Sequence, residues 1–104
     1  MIKIIIEYKL KGGADIEPSL IKLRSHAMSF PGFVGVEILQ NAKDSSDVVV
    51  LQTWESIENR RAWEPSRIRQ SILEELRSLL EEDFRVTIYN ILPATGWTYT
   101  PLKS

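Results

Sequence analysis

Val48-Val49-Val50-Leu51 carries apolar side chains at successive positions, so a strand built from it turns apolar groups to both sides and has no face suited to water. The segment from Val86 to Ile91 repeats the problem, with Val86 and Ile88 on one side and Tyr89 and Ile91 on the other. A sheet holding two such strands has to be covered on both faces. What the rest of the chain can supply as cover therefore decides the fold.

The remaining periodicities supply helices for one face only. Ile2, Ile4, Ile6, Tyr8 and Leu10 alternate with Lys3, Ile5, Glu7 and Lys9, which is a strand ended by Gly12-Gly13. Asp15 is placed to cap a helix over about 16–29, with Pro18 in its first turn and Ile16, Leu20, Leu23 and Ala27 as its apolar stripe. Pro31-Gly32 stops that helix. Phe33 to Gln40 and Asp47 to Glu55 are strands joined by a polar turn, hence a hairpin. Ser56 caps a short helix through Glu64, Pro65 breaks it, and Ser66 restarts a longer one to about Glu82 along Ile68, Ile72, Leu76, Leu79 and Leu80. Phe84 to Leu92 is the last strand, and Pro93 closes it.

The order is βαββαβ, which predicts an α+β, ferredoxin-like fold: a four-stranded antiparallel sheet with its helices on one face. The second face is left for another molecule, and a two-fold homodimer covers it with a copy of itself. With 104 residues, 43% of them hydrophobic and 26% charged, the chain has room for one domain, over 1–93, and a tail over 94–104. Trp97 and Tyr99 in that tail suit an arm lying on the partner subunit.

Charge and cysteine content remove several function classes. The formal net charge is −1 and Lys and Arg are scattered, so nucleic acid is not an expected partner. There is no cysteine, which excludes disulfides, thiol nucleophiles and thiolate metal sites, and fits the cytoplasm. Ile2 to Leu10 is too short and too charged for a signal core or a membrane span.

Several motifs follow one another in a characteristic order: Phe30-Pro31-Gly32-Phe33-Val34-Gly35 at the entry to the second strand, then Gln52-Thr53-Trp54-Glu55-Ser56, then Trp63 on the following helix. In this the chain resembles the antibiotic-biosynthesis monooxygenase (ABM) family. The resemblance implies a dimeric α+β barrel with a ligand cavity between sheet and helices. It implies a cofactor-independent monooxygenase acting on a small apolar, aromatic or quinol-type molecule, with no cofactor or metal expected. A non-catalytic ligand-binding or regulatory dimer is the alternative, and an isomerase or degradative enzyme for a small oxygenated metabolite a further one. The fold does not choose among them.

Cofactor-free oxygenation needs an electron-rich substrate made anionic, an apolar pocket and one or two groups that take or stabilise a proton. Tyr8 and His26 are the candidate catalytic residues. Tyr8 shares a strand face with Ile2, Ile4 and Ile6, and His26 is the chain's single histidine, flanking the stripe of the first helix. Trp63, Asn59 and Arg69 are the candidate substrate-binding residues: an indole beside the Pro65 break, a nearby amide, and a guanidinium within the arc of Ile72, Leu73, Leu76 and Leu80. Trp54 reads as structural, and Glu74-Glu75 as a solvated helix face. The haem-degrading branch of the family expects an asparagine where Tyr8 stands and a histidine where Leu73 stands, so the axial ligand is missing.

Overall fold

The computed structural model describes residues 1–93, and the proposed arm at Trp97 and Tyr99 lies outside the described residues. Its elements are β1 (Ile2–Lys9), α1 (Glu17–Ala27), β2 (Phe33–Gln40), β3 (Asp47–Trp54), α2 (Ile57–Trp63), α3 (Arg67–Arg77) and β4 (Arg85–Asn90). The strands form one antiparallel sheet in the order β2-β3-β1-β4. This is the ferredoxin-like α+β fold.

Register places the period-two residues of β1 and β3 on one inner face. Ile2 lies opposite Trp54, Ile4 opposite Gln52, Ile6 opposite Val50 and Tyr8 opposite Val48, and all eight are buried. Leu20, Leu23 and Ala27 of α1 and Ile72, Leu73 and Leu76 of α3 close over them as one core. The two helices are also joined by polar groups. Buried Ser19 donates to Glu75 Oε1 at 3.1 Å, and Lys22 Nζ donates to the same carboxylate at 3.2 Å. Glu75 is thus a tether between helices rather than only part of a solvated face.

Both caps of the two-piece helix form where the sequence puts them. Ser56 Oγ accepts the Asn59 amide at 3.1 Å and Ser66 Oγ accepts the Arg69 amide at 3.4 Å. At α1 the cap position is Ile16, and Asp15 accepts the Glu17 amide from one residue further out, at 3.2 Å.

The larger departure is at the end of α3, which stops at Arg77 instead of running to Glu82. The chain there turns to pair with the end of β1. Leu80 bridges to Leu10, the Lys11 amide donates to the Leu79 carbonyl, and the Glu81 amide donates to the Lys9 carbonyl, both at 2.9 Å. Leu80 is buried through this bridge, so its place in a helical stripe was a coincidence of spacing. The last strand is shorter than expected for a related reason: beyond Asn90 its pairing ends on one bond, from the Ile91 amide to the Met1 carbonyl.

Among the described residues no helix lies on the outer face of the sheet. Ile5 of β1 lies beside Leu51 of β3, which lies beside Glu37 of β2, with Val34, Leu39 and Tyr89 exposed around them. Ile5, Leu51, Glu37, Val34 and Tyr89 floor an open trough of about 1140 Å³ reaching from Met1 and Lys3 to Leu92. β4 is an edge strand, and its inward residues Val86 and Ile88 remain 39% and 45% exposed because the helices do not reach over it. It therefore lacks the two packed faces that its sequence calls for.

Candidate active site

Tyr8 ends the inner row of β1 and is 2% exposed. Its ring meets Phe84 at 5.7 Å, and its hydroxyl makes no hydrogen bond among the described residues. Burial pushes the phenol well above its ordinary pKa, while the positive charges of Arg69 and Arg60 work against that rise. Tyr8 is therefore a protonated hydroxyl at neutral pH, suited to donate a hydrogen bond while keeping its proton.

The two arginines come from the two-piece helix. Arg60, on the inward side of α2, is 4% exposed and pairs with Glu64 one turn later. Arg69, in the first turn of α3, donates to the Glu64 carbonyl at 2.8 Å and lies with its guanidinium carbon 4.8 Å from the centre of the Trp63 ring. Burial pulls both groups below their ordinary pKa. In both, Nε is shut off from solvent and has no acceptor among the described residues.

Trp63 is almost wholly buried, and each of its surfaces is taken. One face carries Arg69, Trp54 packs at 5.4 Å with a 32° tilt, and the indole N–H donates to His26 Nδ1 at 3.0 Å. Accepting at Nδ1 leaves His26 its proton on Nε2, which faces Ser66 Oγ at 3.4 Å. His26 is half-buried, with its ring edge-on to Phe30. Asn59 is committed to the turn: its Oδ1 accepts the Ser56 hydroxyl at 2.6 Å and its side chain packs on Gly32. Trp54 is fully buried and donates to Gln52 Oε1 at 3.0 Å.

Of the residues singled out in the sequence, the fold brings Tyr8, Trp63, Arg69 and His26 to one region and sets Asn59 at its rim. Arg60 and Gln52 were missed. Arg60 stands three residues before Trp63 and so shares its helix face, and Gln52 falls on the inward period of Val48, Val50 and Trp54. In both, a polar residue type hid an inward position.

Between α1 and the sheet, Tyr8, Leu20, Leu23, Phe33, Val36, Ile38, Val50 and Gln52 line a narrow crevice. Its volume is about 10 Å³, room for one water. Among the described residues no group of three His, Cys, Asp or Glu side chains is placed to hold a metal ion, and no helix is long and apolar enough to cross a membrane.

The fold recurs in solved structures. SnoaB, a cofactor-independent oxygenase from Streptomyces nogalater, is 15% identical, with a TM-score of 0.80 over 88% of this chain and 92% of its own. Rv0793 from Mycobacterium tuberculosis is 13% identical, with a TM-score of 0.80 over 91% of this chain and 98% of its own. A conserved protein from Methanosarcina mazei Go1 is 14% identical, with a TM-score of 0.78 over 85% and 89%. No curated protein sequence matches significantly. The family model for antibiotic biosynthesis monooxygenases matches residues 1–75, which span β1 through most of α3 and include Tyr8, His26, Arg60, Trp63 and Arg69, so the chain belongs to that family.

Proposed function

We propose that this protein is a small-molecule-binding homodimer that oxygenates an aromatic or quinol-type substrate without a cofactor. The observation that carries this reading is Tyr8: a buried, protonated phenol with an uncommitted hydroxyl, at the edge of an apolar crevice and within the field of two arginines. In an anthrone-like substrate the ring-flanked CH₂ gives its proton to solvent water, the carbanion's electron pair forms a C–O bond to dioxygen, and the peroxide anion so formed takes a proton from solvent. The resulting hydroperoxide then loses water, so that one oxygen atom stays as the new carbonyl and the other leaves as water. Tyr8 serves this sequence as donor to the oxyanion of the ionised substrate and to the departing peroxide oxygen. His26, whose Nδ1 accepts from Trp63, holds that indole in place.

The homodimer is argued from the outer face, where Val34, Leu39 and Tyr89 are exposed around Ile5 and Leu51 with no helix among the described residues above them. Oxygen uptake with a panel of quinols and anthrone-like phenols tests the activity. Turnover with at least one member, lost in Tyr8→Phe, is expected. Turnover that is unchanged in Tyr8→Phe removes the hydroxyl from the mechanism.

A second reading, a non-catalytic binding or regulatory dimer, is favoured by the size of the crevice. An aromatic ring cannot enter a space of about 10 Å³ unless α1 moves away from the sheet. Absence of uptake across the whole panel selects that reading.

A further inference from the structure

We infer that Arg60 and Arg69, with the Tyr8 hydroxyl, form a seat for a carboxylate group carried by the ligand. This rests on the proposal that the crevice beside Tyr8 takes an aromatic molecule, and it adds the substituent which that molecule bears.

The first argument is charge. Two guanidinium groups lie at the junction of α2 and α3, and the one carboxylate bonded to either is that of Glu64, on Arg60. Arg69 is satisfied by a carbonyl and an aromatic face, neither of which cancels its charge. Arg60 is buried and Arg69 half-buried, and among the described residues Glu64 is the one carboxylate acting on the two, so the pair carries one positive charge in excess that an anionic ligand group can offset. The second argument is geometry. The Nε of each arginine is buried and has no acceptor among the described residues, and the Tyr8 phenol lies in the field of both groups. The two Nε groups are donors without acceptors, and a planar carboxylate accepts from guanidinium edges and a hydroxyl together. The third is continuity. Tyr8 lines the apolar crevice beneath α1 and also lies in the field of both arginines, so a ring beneath α1 carries its carboxylate towards them.

Binding of 2-naphthoate and of its neutral isostere 2-naphthamide to the full chain, followed by calorimetry and tryptophan fluorescence, tests the seat. The expected result is at least tenfold tighter binding of naphthoate, with the preference falling to near unity in Arg60→Gln and in Arg69→Gln and largely kept in Arg60→Lys. Arg69 is partly exposed, so its variant stays informative should Arg60→Gln fail to fold. Equal affinity for the two probes, binding of neither, or a preference unchanged in both glutamine variants overturns the inference. If naphthamide binds as well as naphthoate while oxygen uptake with neutral quinols persists, the carboxylate seat falls and the oxygenase reading stands.

Discussion

Trp63 donates its indole N–H to His26 Nδ1 at 3.0 Å, which joins α2 to α1 through a histidine that has to be unprotonated at that nitrogen. Because Trp63 is 1% exposed, this bond is its N–H group's route to an acceptor. His26→Ala leaves that donor buried and unpaired, a loss of about 1–3 kcal/mol. His26→Gln can restore an acceptor and is expected to recover part of the loss. Urea denaturation followed by tryptophan fluorescence reads both. Equal midpoints for His26→Ala and the parent chain would show that the bond contributes nothing.

Gly32 sits at φ +87°, and a Cβ placed there would lie 2.6 Å from both Cβ and Oδ1 of Asn59. The backbone conformation and the close approach are separate demands, each met by glycine. Gly32→Ala is expected to destabilise by about 2–4 kcal/mol, part from the backbone and part from displacing Asn59 out of its bond with Ser56. Pairing it with Asn59→Gly, which takes away the Cβ as well as the amide, removes the second part only. The double variant should therefore be less destabilised than the sum of the single ones, a coupling measured by a double-mutant cycle.

The strands and both halves of the two-piece helix were legible because each rests on local chemistry: alternation in β1 and β3, a serine cap before each half, and proline between them. The last turns of α3 were misread because Leu79 and Leu80 satisfy a helical period equally well, and the pairing of Leu80 with Leu10 and of Leu79 with Lys11 is a contact between distant parts of the chain. At the site, Tyr8 and Trp63 stood out as aromatics on inward faces. Arg60 did not, since a charged residue on a short helix reads as surface, and its burial depends on Glu64 and on the sheet beneath it. The closure of both Trp63 faces was equally hidden, because Arg69 and Trp54 reach it from different elements.

The tether between α1 and α3 makes acid stability depend on Glu75. The hydrogen bond from Lys22, then that from Ser19, then the Lys22 charge hold its carboxyl below the ordinary value. A depressed carboxyl contributes stability that is present above the unfolded-chain value, near 4.5, and is lost as the pH falls through the folded one. Glu75→Gln removes that dependence. Its denaturation midpoint should be slightly lower than the parent's at pH 7 and should converge with it at pH 3. A constant gap across this range would mean that the carboxylate is not the titrating group.

At the alkaline end Tyr8 has the opposite sign. Its folded pKa is raised, so the unfolded chain loses the phenol proton first, near the ordinary tyrosine value of about 10, and stability falls as the pH rises beyond that point. Tyr8→Phe abolishes this contribution, so its stability should decline less steeply above pH 10 than the parent's. The same burial predicts that one tyrosine fails to ionise in the folded protein when absorbance at 295 nm is followed to pH 11. Parallel stability curves would show that Tyr8 reaches solvent.

Leu51 occupies the middle of the outer face, beside Ile5 on one side and Glu37 on the other. A lysine there can lift its amine into water in a lone subunit, so the fold tolerates it, but in a dimer it would place a charge at the centre of the interface. Leu51→Lys is therefore expected to keep its circular dichroism spectrum while its mass by light scattering falls from two chains to one, 11.9 kDa. A parent chain that already elutes at 11.9 kDa, or a variant that stays dimeric, shows that the apolar strands are covered in some other way. The trough of about 1140 Å³ would then be a ligand surface in its own right.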